Sequence, residues 1–216
     1  MKLKLKYKLI IVITISVIFV ICIGCYLLIP RLDYAYDHDS DSYYVKYAWG
    51  NSDTYVIKES INGKPVTKIG DRAFYQKKNL ITVKFENNNI TSIGRLSFSG
   101  CVKLKEIDLS NVFEIGINAF EECYSLENVT LGVIHLSFST FYDCTSLKNV
   151  VLLNTKSIGS YAFANTLIES IVLPDSIEDI YVYAFAEMKN LKNIYVNKEF
   201  VIDGYLKTLE DIISYK

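Results

Sequence analysis

The sequence predicts a solenoid of short parallel strands, preceded by one apolar helix. Two observations carry that prediction. Residues 115–131 (IGINAFEECYSLENVTL) recur in variant form on both sides of themselves. Their aromatic position is occupied by Phe74, Phe98, Phe120, Phe141, Phe163 and Phe185, at intervals of 24, 22, 21, 22 and 22 residues. Self-similarity at a period in the twenties marks stacked supersecondary units, none of which can bury its apolar side alone. The second observation is residues 9–29 (LIIVITISVIFVICIGCYLLI), a run of 21 residues without a charge.

That run is long enough to cross the roughly 30 Å hydrocarbon core of a bilayer as a helix. It exceeds the apolar stretch of a cleavable signal peptide and lacks a small-x-small cleavage site. Lys2, Lys4, Lys6 and Lys8 precede it. By the positive-inside rule they keep residues 1–8 cytoplasmic and place the body outside, in a single-pass cell-membrane protein. Cys22-Ile23-Gly24-Cys25 offers an alternative, the end of a bacterial lipobox with Cys25 as lipid acceptor. Against it, Tyr26-Leu27-Leu28-Ile29 continues the apolar run where a lipoprotein turns polar. Both readings tether the body to the outer face of a membrane.

Residues 30–42 read as a polar linker that Pro30 opens. Asp37, His38, Asp39 and Asp41 do not make a calcium loop of the EF-hand type, which needs Gly at 42 and Glu at 48, where the chain has Ser42 and Ala48. Residues 43–65 read as an N-terminal β-hairpin cap. Its strands are the alternating runs 43–49 and 54–61, and the turn is Gly50-Asn51-Ser52-Asp53.

Residues 66–196 carry six repeats of about 22 residues. In the third, Val129 and Leu131 alternate with Asn128 and Thr130, so the first pair points inward and the second outward. The inward pairs elsewhere are Val83 and Phe85, Ile107 and Leu109, Val150 and Leu152, Ile171 and Leu173, and Ile194 and Val196. Gly116 after Ile115 suits a tight bend at which a side chain would strike the next turn. Residues 197–216 leave the pattern; Leu206, Leu209, Ile212 and Ile213 share one helical face, as a C-terminal cap requires.

The repeated motif I-G-x-x-A-F-x-x-C-x-x-L-x-x-[IV]-x-L resembles the BspA-like leucine-rich repeat family (leucine-rich repeat type 5). The lead-in Ile61-Asn62-Gly63-Lys64-Pro65-Val66-Thr67-Lys68-Ile69-Gly70 is similar to the way such arrays begin. The resemblance implies a leucine-rich repeat solenoid with its strands on a concave face and turns on the convex one. It further implies surface display and binding of host or matrix proteins, and it carries no catalytic residues.

Composition narrows the function. Without the four N-terminal lysines, 19 basic residues face 24 acidic ones (23 − 4 = 19). A mildly acidic body is a poor match for nucleic acid. No phosphate loop, His-x-x-x-His pair or nucleophile elbow is present, which argues against an enzyme. No cofactor or metal is expected. Cys101, Cys123 and Cys144 share one slot three residues after the Phe, but Thr166 and Met188 fill the same slot elsewhere. Metal ligands do not tolerate that exchange, so these thiols read as buried core. The Asn89-Ile90-Thr91 and Asn128-Val129-Thr130 glycosylation patterns are short enough to arise by chance.

A candidate partner-binding surface lies on the outward strand positions of the later rungs: Asn149, Val151 and Leu153; Ser170 and Val172; Asn193 and Tyr195. The earlier rungs are polar there, and the later ones add the apolar Val151, Leu153, Val172 and Tyr195, which suits recognition of an extracellular or host protein. The competing expectation is that the C-terminal segment folds back over this patch. The resulting reading is a membrane-anchored surface protein that binds or adheres through its concave face. Its alternative is a non-catalytic structural module that self-associates.

Overall fold

The computed structural model describes residues 29–201 and 204–215. The apolar run 9–29, with Cys25 inside it, lies outside the described residues except for Ile29. Among the described residues no helix is long and apolar enough to cross a membrane.

The repeats stack as expected, and each contributes strands to two faces rather than one. The front face carries the strands anticipated for the repeats, β6 (Thr82–Phe85), β9 (Asn128–Leu131), β11 (Asn149–Leu152), β13 (Ser170–Val172) and β15 (Asn193–Val196), and two not expected there, β3 (Thr54–Ile57) and β16 (Ile213–Tyr215). All pairings along it are parallel. The second rung joins its neighbours through single bridges, Thr82 to Glu106 and Leu109 to Leu131. Inward residues Val83, Ile107, Leu109, Val129, Leu131, Leu152, Ile171, Leu173, Ile194 and Val196 are buried, while Phe85 and Val150 are partly so.

The back face corrects the expected bend. The residue before each Ile-Gly step and the Ile itself form a two-residue parallel strand: β7 (Ser92–Ile93), β8 (Glu114–Ile115), β10 (His135–Leu136), β12 (Ser157–Ile158) and β14 (Asp179–Ile180). They continue from β5 (Lys64–Ile69), against which β4 (Ser60–Ile61) folds antiparallel. The glycine that follows is required by the neighbouring rung. A Cβ on Gly116 would stand 2.5 Å from the Arg95 nitrogen, and one on Gly94 2.5 Å from the Asp71 nitrogen. Ser137 occupies the same slot, donating its hydroxyl to the Ile115 carbonyl at 2.6 Å.

After the back strand, every second N–H crosses to the next rung. The amides of Phe98, Phe120 and Phe141 donate to the carbonyls of Ala119, Thr140 and Ala162. This ladder holds two residues per rung in the left-handed region. Arg72, Leu96, Asn118, Ser139, Tyr161 and Tyr183 form one series, with φ of 50–63°. Gln76, Glu122, Asp143, Asn165 and Glu187 follow two residues after the Phe, at 54–59°. A non-glycine residue there costs on the order of 1 kcal/mol, and inter-rung hydrogen bonds on both sides hold the conformation.

The core is built in columns. The six phenylalanines stack nearly parallel, with centroids 4.9, 5.1, 5.3, 5.7 and 6.2 Å apart. Tyr55 closes the N-terminal end of the column edge-on against Phe74. Beside it Cys101, Cys123 and Cys144 are buried free thiols. Each donates to the phenylalanine carbonyl of the preceding rung, at 3.1, 3.3 and 3.1 Å. Thr166 fills the slot by donating instead to Phe163 of its own rung.

Burial pushes the Cys101 thiol up to about 12 and the Cys123 thiol well above its ordinary value. The folded state therefore favours the neutral thiol. That stability is complete below the unfolded value near 9 and disappears as pH rises through about 12. Denaturation midpoints should fall steadily above pH 9, and the three thiols should resist a disulfide reagent at pH 8 until the chain unfolds.

Ser97 occupies the alanine slot, fully buried, and its hydroxyl has no hydrogen-bond partner. An unpaired buried hydroxyl costs about 1–3 kcal/mol. Ser97→Ala should raise the melting temperature by a few degrees, as read by calorimetry.

The two ends depart from expectation. Residues 30–42 are not a linker, because β1 (Arg31–Asp37) pairs antiparallel with β2 (Ser42–Trp49). The expected hairpin of 43–49 with 54–61 does not form: β2 joins β5 on the back face and β3 joins β6 on the front. Residues 50–53 turn the corner between faces, as every repeat does. The Ala48 amide donates to Ala73, so this segment is an additional rung. Its alternating aromatic sequence suits either pairing, and β1 supplies the antiparallel partner that closes the back sheet. At the other end a 3₁₀ helix, Gly204–Ile212, buries Leu206 and leads into β16, which pairs with β15.

Candidate functional site

The front strands place their outward residues in columns that run from rung to rung. In the central column Val56 lies beside Lys84, Thr130 beside Val151, and Val172 beside Tyr195 and then Ser214. The preceding column carries Thr82, Glu106, Asn128, Asn149, Ser170 and Asn193. Asn149 donates its side-chain amide to the Asn128 side-chain oxygen at 2.7 Å, so adjacent amides form a ladder.

The face divides chemically. Its earlier rungs form an open depression of about 810 Å³ walled by Lys84, Glu106, Asp108, Asn128 and Asn149. Its later rungs expose Val151, Leu153 and Val172 by 51, 46 and 55 %. Ser170 is exposed too, whereas Asn193 and Tyr195 are partly covered by their neighbours. Among the described residues the C-terminal segment does not fold back over this patch. It adds β16 at the edge, with Ser214 beside Tyr195, and lengthens the face.

A row of alternating charge borders the strands. Lys148 meets Glu127 at 3.6 Å, and Lys192 meets Glu169 at 2.8 Å. The Lys192 ammonium holds the Glu169 carboxyl below its ordinary value. Exposed pairs of this kind add little stability. Their alternation favours one register, because a slip by one rung would oppose like charges.

The back face brings together groups that the sequence leaves apart. His135 Nδ1 lies 2.8 Å from the Ser157 hydroxyl, with Glu114 in the same column. The pair is exposed, and the nearby Ser157 and Gly159 amides already donate to Ile134 and Leu136. Neither amide is left to stabilise an oxyanion, so the pair reads as an inter-rung hydrogen bond. Flanking β8 and β10, Phe113 and Ile117 on one rung and Ile134 and Phe138 on the next are exposed, each by 43–55 %. These were legible as x positions around the Ile-Gly step. Reading that step as a bend concealed that they flank a pair of stacked strands. Among the described residues no cluster of His, Cys, Asp or Glu could hold a metal ion.

Comparison with known proteins agrees with this architecture. The chain resembles a leucine-rich cell surface protein from Faecalibacterium prausnitzii at 26% identity and a TM-score of 0.63, over 77% of this chain and 54% of that one. It also resembles a leucine-rich repeat protein of T. pallidum at 26% identity and a TM-score of 0.55, over 76% of this chain and 68% of that one. A leucine-rich repeat protein from Eubacterium ventriosum, at 19% identity and a TM-score of 0.52, shares the fold over 80% of this chain and 54% of that one. The chain thus spans about half the length of the first and third of these. No curated protein matches it. The model of the BspA-type leucine-rich repeat region matches residues 52–151 and 114–205 with six copies. With its strands, columns and left-handed turns repeating at that period, the chain belongs to the BspA-type leucine-rich repeat family.

Proposed function

We propose that the chain is a membrane-anchored surface scaffold that binds an extracellular or host protein through its front face, without catalysis. The observation that carries this reading is the open apolar patch of Val151, Leu153 and Val172. It spans neighbouring rungs of the front face, with Val151 on β11 and Val172 on β13, and adjoins a polar depression. Large side chains held exposed on a rigid surface need no ordering on binding, which favours recognition. The tether in this reading is the uncharged run 9–29, as a signal-anchor or through lipid on Cys25. Mass spectrometry of the membrane-extracted chain separates the two, since only the second adds a diacylglycerol mass.

The binding test replaces Val151 and Val172 with Glu and Tyr195 with Lys, and titrates wild type and variant against a panel of extracellular and cell-surface proteins. A saturable partner should bind the variant at least about 100-fold more weakly, with circular dichroism and melting unchanged. Unaltered binding would eliminate the front face as the site. A self-associating envelope module is the second reading, and the exposed back-face group Phe113, Ile117, Ile134 and Phe138 favours it. Light scattering across a concentration series would show reversible assembly in that case.

A further inference from the structure

We infer that the foot of the β1–β2 hairpin seats the body directly on the headgroup layer of the bilayer. The inference rests on the anchored reading of residues 9–29. The uncharged run ends at Ile29 and β1 begins at Arg31, so Pro30 alone separates them. At about 3.3–3.6 Å per extended residue, two steps of chain hold Arg31 within roughly 7 Å of the run's end. The strand that replaces the expected linker thus removes any standoff.

The groups brought to that end suit a headgroup layer. The antiparallel register sets Arg31 opposite Trp49 and Leu32 opposite Ala48. Trp49 packs edge-on against Tyr47 at 4.8 Å, and Tyr47 is 39 % exposed. The Arg31 guanidinium lies 4.9 Å from the Trp49 ring, and the Lys77 ammonium lies 5.3 Å from the Tyr47 ring. Lys77 also donates to the Gly50 carbonyl at 2.9 Å, which fixes it over the corner between the two faces. Trp and Tyr rings with an apolar body and a polar tip concentrate at membrane interfaces, and cations beside them pair with anionic lipid. Here Arg31, Tyr47, Trp49 and Lys77 meet at the Pro30 end of β1, where Asp33, paired with Arg31 at 3.7 Å and accepting from the Trp49 indole, holds the guanidinium and the ring in place.

Trp49 is the only tryptophan, so its emission reports on this foot. The full chain would be reconstituted into phosphatidylcholine vesicles containing phosphatidylglycerol. One set would carry a nitroxide on the headgroup, and flotation would be measured on the same sample. The chain should float, with Trp49 quenched at least about twofold by the headgroup nitroxide and shielded from aqueous iodide. Arg31→Glu with Lys77→Glu should keep flotation and reduce that quenching. A chain that floats while Trp49 stays unquenched and open to iodide overturns the seating and leaves the anchor standing. Failure to float overturns the anchor, and the seating with it.

Discussion

Phe120→Ala should be the most damaging single substitution in the array. Phe120 is fully buried at the centre of the column, 5.1 Å from Phe98 and 5.3 Å from Phe141. Removing a buried phenylalanine ring costs about 3–5 kcal/mol, through lost transfer energy and the cavity left behind. The site collapses poorly, because the backbone on both sides is held by inter-rung hydrogen bonds from Phe98 to Ala119 and from Phe120 to Thr140. A solenoid's stability is close to a sum over rungs and the interfaces between neighbours. Loss at one central rung therefore weakens two interfaces and uncouples the halves. Urea unfolding should shift to a much lower midpoint and broaden or split in two. A single transition within about 1 kcal/mol of wild type would show that the aromatic column is not what couples the rungs.

Leu206→Asp should open the C-terminal end. Leu206 is the one fully buried residue of the 3₁₀ helix, while Leu209, Ile212 and Ile213 are only partly buried. A carboxylate cannot remain there without a partner, and detaching the segment is less costly than burying the charge. Detachment would strip β16 from β15 and expose Ile194 and Val196 along an unpaired strand edge. Such an edge is a template for pairing with another chain. Limited proteolysis should then cleave within residues 197–212 far faster than in wild type, and light scattering should show association. Wild-type cleavage and a monomeric profile would mean that the sixth rung closes itself.

The repeat and its inward residues were legible because one set of side chains returns every 21–24 positions. Phe120 and Leu131 could be assigned to the core from Phe98 and Leu109 without a structure. The C-terminal cap was legible in part. The apolar spacing of Leu206, Leu209 and Ile212 announced a helical face, but the strand that follows was hidden in three residues, Ile213–Tyr215. Residues 31–37 misled because Asp33, Tyr34, Asp37 and their polar neighbours look solvated. The polar side chains find partners only once the chain is folded: Trp49 donates to Asp33, and the Lys58 amide donates to the Tyr34 hydroxyl. The outward positions of β11 and β13 were legible from the alternation, yet their openness depended on where the C-terminal segment went.

By itself the sequence determined the period, the identity of each core column and the alternation of the front strands. The alternation is a local pattern within one repeat, and the period and columns follow from comparing successive repeats along the chain. Only the tertiary structure decided that the Ile-Gly step borders a second sheet, that residues 42–57 form a rung of their own with β1 alongside, and that Val151 and Val172 stay uncovered. Those outcomes depend on which groups meet across rungs more than twenty residues apart. Inter-rung backbone hydrogen bonds set that adjacency, and no local pattern encodes it.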